Sequence, residues 1–325
     1  MKRREVLYFV IKVIISFSLI IMLFSNISFK DFVDSMTSVN ISTFIVSVVV
    51  YIISVLGGAV KWKMLLSEIG LKKLIVTCFK AQFYSTVLPG QLFGEASKVS
   101  SLYSTKTSNL KILTSVVMDK ITSMLALMII GILSLFLMTV NIPFSLKLSM
   151  VALLIVFVSL FALFRIKVVD LYVTKLFKKL GQAKRNIIRK VASKLQELYV
   201  VWKQYSSDVK VVCRNIICGV FVQFLGVFQI WYITRQTDFG ISAFDVMWIF
   251  SILSVLLLLP ISFAGLGVRD VSLVGLLGLF GVAKESALTV SAIMLCSQIV
   301  VAIVGAIIVF VEQIYNIRSK KRDEQ

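Results

Sequence analysis

The stretch LLLLPISFAGLGVRDVSLVGLLGLF, residues 256–280, decides how this chain is read. An apolar run meets Pro260, a break follows at Gly265, Leu266 and Gly267, and Arg269 and Asp270 stand directly behind it at the head of a second apolar run. The limbs extend from about Phe244 to Leu259 and from Val268 to Phe280. At 1.5 Å per residue, a limb of about 14 residues reaches roughly 21 Å, short of the approximately 30 Å hydrocarbon core of a bilayer. Broken backbone at membrane depth persists only where protein or water satisfies its N–H and C=O groups. The segment is therefore expected to be a re-entrant helical hairpin bordering a polar cavity.

A second stretch has the same character. LIVTCFKAQFYSTVLPGQLFGEASKVSSLY, residues 74–103, carries Lys80, Gln82, Tyr84, Thr86, Gln91, Glu95, Ser97 and Lys98 around a central Pro89 and Gly90. A helix facing lipid does not tolerate that content. Lys72, Lys73, Lys106 and Lys111 flank this hairpin, whereas Arg235, Asp238 and Lys284 flank the other on the far side. The excess of Lys and Arg marks cytoplasmic ends, so the two hairpins are expected to enter from opposite faces. A span, a broken hairpin and a span then occur twice in inverted orientation, as in many secondary transporters, which bind their cargo near the midplane.

The rest of the chain agrees with a membrane setting. It is 58% hydrophobic and 16% charged, with a mean hydropathy of +0.96, whereas soluble chains carry about a quarter charged residues. The fold class is all-α and polytopic: about six spanning helices at 6–24, 41–60, 112–140, 146–164, 211–234 and 286–313, plus the two re-entrant hairpins in inverted repeats. Eight full crossings are the alternative, and either count leaves both termini on the cytoplasmic side of the cell membrane. Lys2, Arg3 and Arg4 open the chain like a signal peptide, but no small-residue cleavage site follows, so the first apolar run is expected to remain as a helix. Lys61, Trp62 and Lys63 resemble a basic and aromatic interface anchor.

Residues 1–325 are taken as one transmembrane domain, with a cytoplasmic basic amphipathic segment at 165–210 inside it. Ile187, Val191, Leu195, Leu198 and Trp202 form its apolar stripe among Lys184, Arg185, Arg189, Lys190 and Lys194. Such a helix lies on anionic lipid head groups.

The net charge of +19 gathers at the ends of apolar runs, so membrane topology explains it and nucleic acid is not an expected partner. The absence of histidine removes imidazole shuttles, histidine metal sites and Ser/His or Cys/His nucleophiles. Cys78, Cys213, Cys218 and Cys296 lack metal or redox spacing. No metal, cofactor or catalytic set is expected.

Each break places a helix N-terminus, with free N–H groups and partial positive charge, near mid-membrane. Such ends favour an anion, and a lipid phosphate is the natural candidate. Arg269 and Lys98 are positioned to add charge-assisted bonds. Gly265 and Gly267 can equally serve only a tight turn. An ionisable group at mid-bilayer costs about 2.5–3.5 kcal/mol on insertion scales, so Glu95, Asp119, Lys120, Arg269 and Asp270 are expected to face a cavity or one another. Plain structural alternatives stand beside this: Glu95 pairing with Lys98 at helical spacing, and Lys120 snorkelling to the cytoplasmic interface. Gly219, Gly226, Gly275, Gly278 and Gly281 are read as close helix contacts.

The motifs resemble one known family, the lysylphosphatidylglycerol synthase transmembrane region, also called the flippase-like domain, over about Lys61 to Phe310. Leu88, Pro89 and Gly90, then Gly94, Glu95 and Lys98, are similar to its Pro/Gly break, Gly-Glu step and nearby Arg, with Lys in place of Arg. Asp119 and Lys120 are similar to its acidic-Arg pair. Pro260, Gly265, Gly267, Arg269 and Asp270 resemble its Pro, Gly-rich turn and Arg-Glu. Gly281, Val282 and Ser286 to Leu288 resemble the closing element, although the Arg expected near Leu295 or Cys296 is absent.

The resemblance implies translocation of a lipid or lipid-linked sugar, or membrane support for head-group modification. Aminoacyl-transferring members carry a fused soluble domain; this chain ends without one and is not expected to make aminoacylated lipid itself. Three readings follow. The first is a flippase for an anionic, aminoacylated or polyprenol-linked lipid. The second is a membrane enzyme such as a lipid-linked glycosyl transferase, and the third is a scaffold. Membrane lipids are the expected partners, with lipid-modifying or glycan-assembly enzymes beside them; the oligomeric state is left open.

Overall fold

The computed structural model describes residues 29–88, 92–103, 107–138, 167–181, 208–236, 240–258 and 267–323, with scattered positions between 144 and 203. Ten helices fall within these residues, and no strand does. They are α1 (Phe29–Ser38), α2 (Ile41–Leu65), α3 (Leu71–Val87), α4 (Leu92–Ser101), α5 (Asn109–Leu137), α6 (Lys167–Gly181), α7 (Val209–Arg235), α8 (Ala243–Leu258), α9 (Val268–Gly278) and α10 (Lys284–Asp323). Four are long and apolar enough to cross a bilayer: α2, α5, α7 and Lys284–Tyr315 of α10. The expected spans at 6–24 and, for the most part, 146–164 lie outside the described residues, as do the hairpin tips with Pro89, Gly90, Pro260 and Gly265. Most of the amphipathic stripe at 187–202 lies there too.

Local chemistry sets the helix ends. The Asn40 side chain accepts from the Ser42 N–H to start α2, and Asp208 accepts from Val211 to start α7, each satisfying one orphan donor of a first turn. At the end of α2, Lys63 Nζ donates to the carbonyls of Ser67 at 2.6 Å and Ile69 at 2.7 Å, closing the tight connection to α3. Outside the bundle core, Lys111 bonds Glu68 and holds its carboxyl below the usual carboxylate range. The Asp170 carboxyl is likewise lowered, chiefly by its bond from Lys203.

The two hairpins have short limbs. α3 has 17 residues and α4 has 10; α8 has 16 and α9 has 11. At 1.5 Å per residue none exceeds about 26 Å, less than the roughly 30 Å core. Among α2 to α5 and α7 to α10, the close neighbours form a regular pattern. Exchanging α2 with α7, α3 with α8, α4 with α9 and α5 with α10 maps each close helix pair onto another close pair. α2 and α7 run antiparallel, because Asn215 bonds Lys61 while Gln229 bonds Ser47. α1 packs on α10 and stands outside this pattern.

Lipid tails are as apolar as leucine, so intimate contact and polar bonds decide which helices touch. Ser47, Ser297 and Gln229 join α2, α10 and α7 through contacts of 2.8 and 2.7 Å. A Cβ built on Gly226 would lie 2.5 Å from the Phe250 ring, and one on Gly305 would lie 2.2 Å from the Phe79 carbonyl oxygen. Gly219 also faces close neighbours, Ala126 and Lys61. Gly275 and Gly278 depart from the sequence reading: both have open space where a Cβ would sit. Gly281 acts instead through its φ of 81°, ending α9 in the left-handed turn that glycine adopts without strain.

Gly305→Ala should lower stability by about 1–3 kcal/mol, the usual range for forcing extra volume into a packed seam. Gly58→Ala, with nothing within 4 Å of the new methyl, should hold stability or raise it by up to about 1 kcal/mol, since alanine is the better residue in a helix interior. Unfolding of the detergent-solubilised variants by SDS titration measures both.

Candidate functional site

α4 lies flat against α3 because Gly94 has no side chain: a Cβ there would come within 2.8 Å of the Ala81 carbonyl oxygen. The following residue, Glu95, pairs with Lys98 one turn on, at 2.9 Å. The approach is an ion pair and not a well-directed hydrogen bond, since Glu95 Oε2 is buried without a hydrogen-bond partner. Lys98 Nζ also sits 5.5 Å from the centre of the Trp62 ring, within cation–π range. Trp62 is held by its indole N–H, which donates to Ser115 Oγ at 3.0 Å.

The second charged group joins three helices. Lys61 of α2 is 2% exposed, and its ammonium donates to Asp119 Oδ1 at 2.9 Å, to the Asp119 carbonyl at 2.7 Å and to Ser123 Oγ at 2.6 Å. All three donors are therefore used. Asn215 of α7 donates to the Lys61 carbonyl at 2.7 Å and accepts from Thr122 Oγ1 at 2.5 Å. The sequence reading of Lys61 and Trp62 as an interface anchor is corrected here: both are buried, and only Lys63 sits at a helix end. Asp119 has serines at 115 and 123 on its own helix face, so its cation had to come from another element. That was the available signal, and it does not name the partner.

The third group begins α9. Gly267 takes φ 79°, which points its N–H to Asp270 Oδ2 at 2.9 Å. Asp270 thereby caps its own helix. Its other oxygen accepts from Arg269 at 3.2 Å and contacts Ser291 Oγ. Arg269 is 1% exposed and also donates to Ser291 Oγ at 2.9 Å and to Gln298 Oε1 at 3.3 Å. Its planar fork thus ties α9 to α10.

The first of these groups borders a hollow of about 250 Å³ lined by Glu95, Lys98, Lys120, Gln298, Gln82 and Tyr51, among others. The structure brings Gly94, Glu95, Lys98 and Lys120 to its wall. Arg269 reaches that wall indirectly, through Gln298. Tyr51, whose hydroxyl donates to Gln82 at 2.9 Å, is within electrostatic reach of Arg269. Asp119 faces Lys61 instead. Lys120 lines the hollow as well. Gln82 was among the polar residues noted in the first hairpin, whereas Gln298 and Tyr51 were missed, since single polar residues in apolar runs give no local signal. Among the described residues, no group of three His, Cys, Asp or Glu is arranged to hold a metal.

A helical bundle with at least four apolar spans and a charged interior hollow defines a multi-pass membrane protein. The family model described as lysylphosphatidylglycerol synthase TM region matches residues 9–305, and the chain belongs to that family. Comparison with curated proteins finds no match.

Breaking a buried ion pair costs about 3–5 kcal/mol, while replacing both partners with apolar residues is often nearly neutral. Lys61→Met and Asp119→Leu should each destabilise by that order, and the double variant by clearly less than their sum. A double-mutant cycle from SDS unfolding checks this.

Proposed function

We propose that the protein is a transporter that moves a lipid with an anionic head group between leaflets, the head group passing through the hollow at Glu95, Lys98 and Lys120. The observation that carries this reading is a cavity of about 250 Å³ walled by charged and amide side chains within a hydrocarbon-facing bundle. Ionisable groups inside a membrane mark substrate or ion paths by default. The antiparallel packing of α2 and α7 and the exchange pattern of their neighbours support an inverted repeat. On this reading the short-limbed pairs α3/α4 and α8/α9 are re-entrant hairpins dipping in from opposite faces, and binding lies where they approach one another.

Membership of a family described by the membrane region of a lipid synthase fits a lipid cargo. The cargo class spans anionic, aminoacylated and polyprenol-linked lipids. The protein itself performs no covalent chemistry in this scheme, and it needs no cofactor. It sits in the cell membrane with both termini cytoplasmic, next to lipid-modifying or glycan-assembly enzymes that supply or consume the cargo. A proton or ion gradient, or the gradient of the lipid itself, drives net movement.

In proteoliposomes, the protein should equilibrate a fluorescent anionic lipid between leaflets, read by its loss to a membrane-impermeant quencher. Lys98→Gln should slow this about ten-fold, the worth of one charge-assisted hydrogen bond. A rate equal to that of protein-free vesicles would favour the scaffold or enzyme reading.

A further inference from the structure

Two smaller hollows follow the charged one, each sharing a wall residue with its neighbour. The first, of about 150 Å³, is walled by Lys120, Ser123, Gln223 and Ser254 together with apolar residues, and Lys120 belongs to both walls. The second, also about 150 Å³, lies between α5 and α8 and is lined by Leu127, Met128, Gly131, Ile132, Val255 and Leu256, among others. It shares Leu127 with the first. Ser251 is the polar residue on this wall, and its hydroxyl is committed to the Met247 carbonyl at 2.8 Å. Val255, 40% exposed, lies at the outer surface of this groove. Polarity therefore falls stepwise from charged, through hydroxyl and amide, to aliphatic. That is the profile of one amphiphile laid along the path.

The charges around the path define its head. Lys61 is paired with Asp119, Lys98 with Glu95 and Arg269 with Asp270. Lys120 has neither an ion pair nor a hydrogen bond among the described residues, although it lines the same hollow as Glu95 and Lys98. Four cations against three carboxylates leave one positive charge, and it sits on the residue common to the two polar hollows.

The seam between α3 and α10, which the helix exchange makes equivalent to that between α5 and α8, is closely packed among the described residues. There Gly305 meets the Phe79 main chain, and Lys80 pairs with Glu312 at 2.6 Å.

We infer that the three hollows form one site for a membrane lipid carrying a single phosphodiester charge, with that charge against Lys120 and a hydrocarbon chain in the groove between α5 and α8. The site rests on the transport reading for its purpose and goes beyond it in assigning the head-group charge and the seat of the chain. A diphosphate head would bring more negative charge than the pocket leaves uncompensated. A zwitterionic head would bring a cation that has no free carboxylate to meet.

The test is photolabelling in phosphatidylcholine vesicles that contain the full-length protein. One set is doped with phosphatidylglycerol bearing a diazirine on its acyl chain, the other with phosphatidylcholine bearing the same chain, and labelled residues are mapped by mass spectrometry. The phosphatidylglycerol probe should label Met128, Ile132 and Val255 about ten-fold more than the phosphatidylcholine probe, a difference of roughly 1.4 kcal/mol in affinity. Lys120→Gln should remove that excess. Val255→Trp, which fills the groove, should remove groove labelling by both probes, and either variant alone suffices if the other fails to fold.

Equal labelling by the two probes, or an excess that survives Lys120→Gln, overturns the head-group assignment. Labelling at Phe79 as strong as at Val255 overturns the assignment of the chain. Because labelling reports binding alone, selective labelling without lipid movement sinks the transport reading and leaves the site. Movement without selective labelling sinks the site alone.

Discussion

A charge placed inside a hydrocarbon layer must find a counter-charge or a polar hollow within the protein, and this requirement organises the bundle. Water is not there to solvate it, so every unpaired ion costs several kcal/mol. Two of the buried charged groups consequently act as joints between elements. Lys61 and Asp119 bind α2 to α5, and Asn215 brings in α7. Arg269 and Asp270 bind the start of α9 to α10 through Ser291 and Gln298. Apolar burial cannot make such choices in a membrane, because one leucine surface is as good as another there.

The same constraint bears on the hollow, which is lined from both helix sets. Close main-chain contacts seal some seams, as at Gly94 and Gly305, and spaces remain where side chains of unlike polarity meet. Gln298 stands at the boundary, facing the hollow on one side and accepting from Arg269 on the other. Gln298 thus links Arg269 to the hollow that Glu95 also lines.

What was legible in the sequence was local. Composition and run length disclosed the membrane class, and the Pro/Gly interruptions located the short limbs: 244–259 was expected against Ala243–Leu258 found, and 268–280 against Val268–Gly278. The Glu95–Lys98 pair was legible because three residues of helix bring its members together. Lys61 was misread because its partner lies 58 positions away, and a Lys-Trp-Lys run at the end of an apolar helix has the same composition whether it meets water or a buried aspartate. The last helix continues to Asp323, past the expected end near 313, since its basic tail holds neither proline nor glycine to stop it. The glycines divide for a similar reason. Gly226 and Gly305 touch other helices while Gly275 and Gly278 do not, and spacing alone cannot tell them apart.

Gly305 and Phe79 meet through main-chain atoms, so the alignment of α10 on α3 is written in backbone positions. Exchanges of side chains further along tune how firmly the two helices hold, without altering which turn faces which. Adding one residue to either helix is a different kind of change, because it swings everything beyond by about 100°. Chain length in these two elements is therefore under stricter control than their composition.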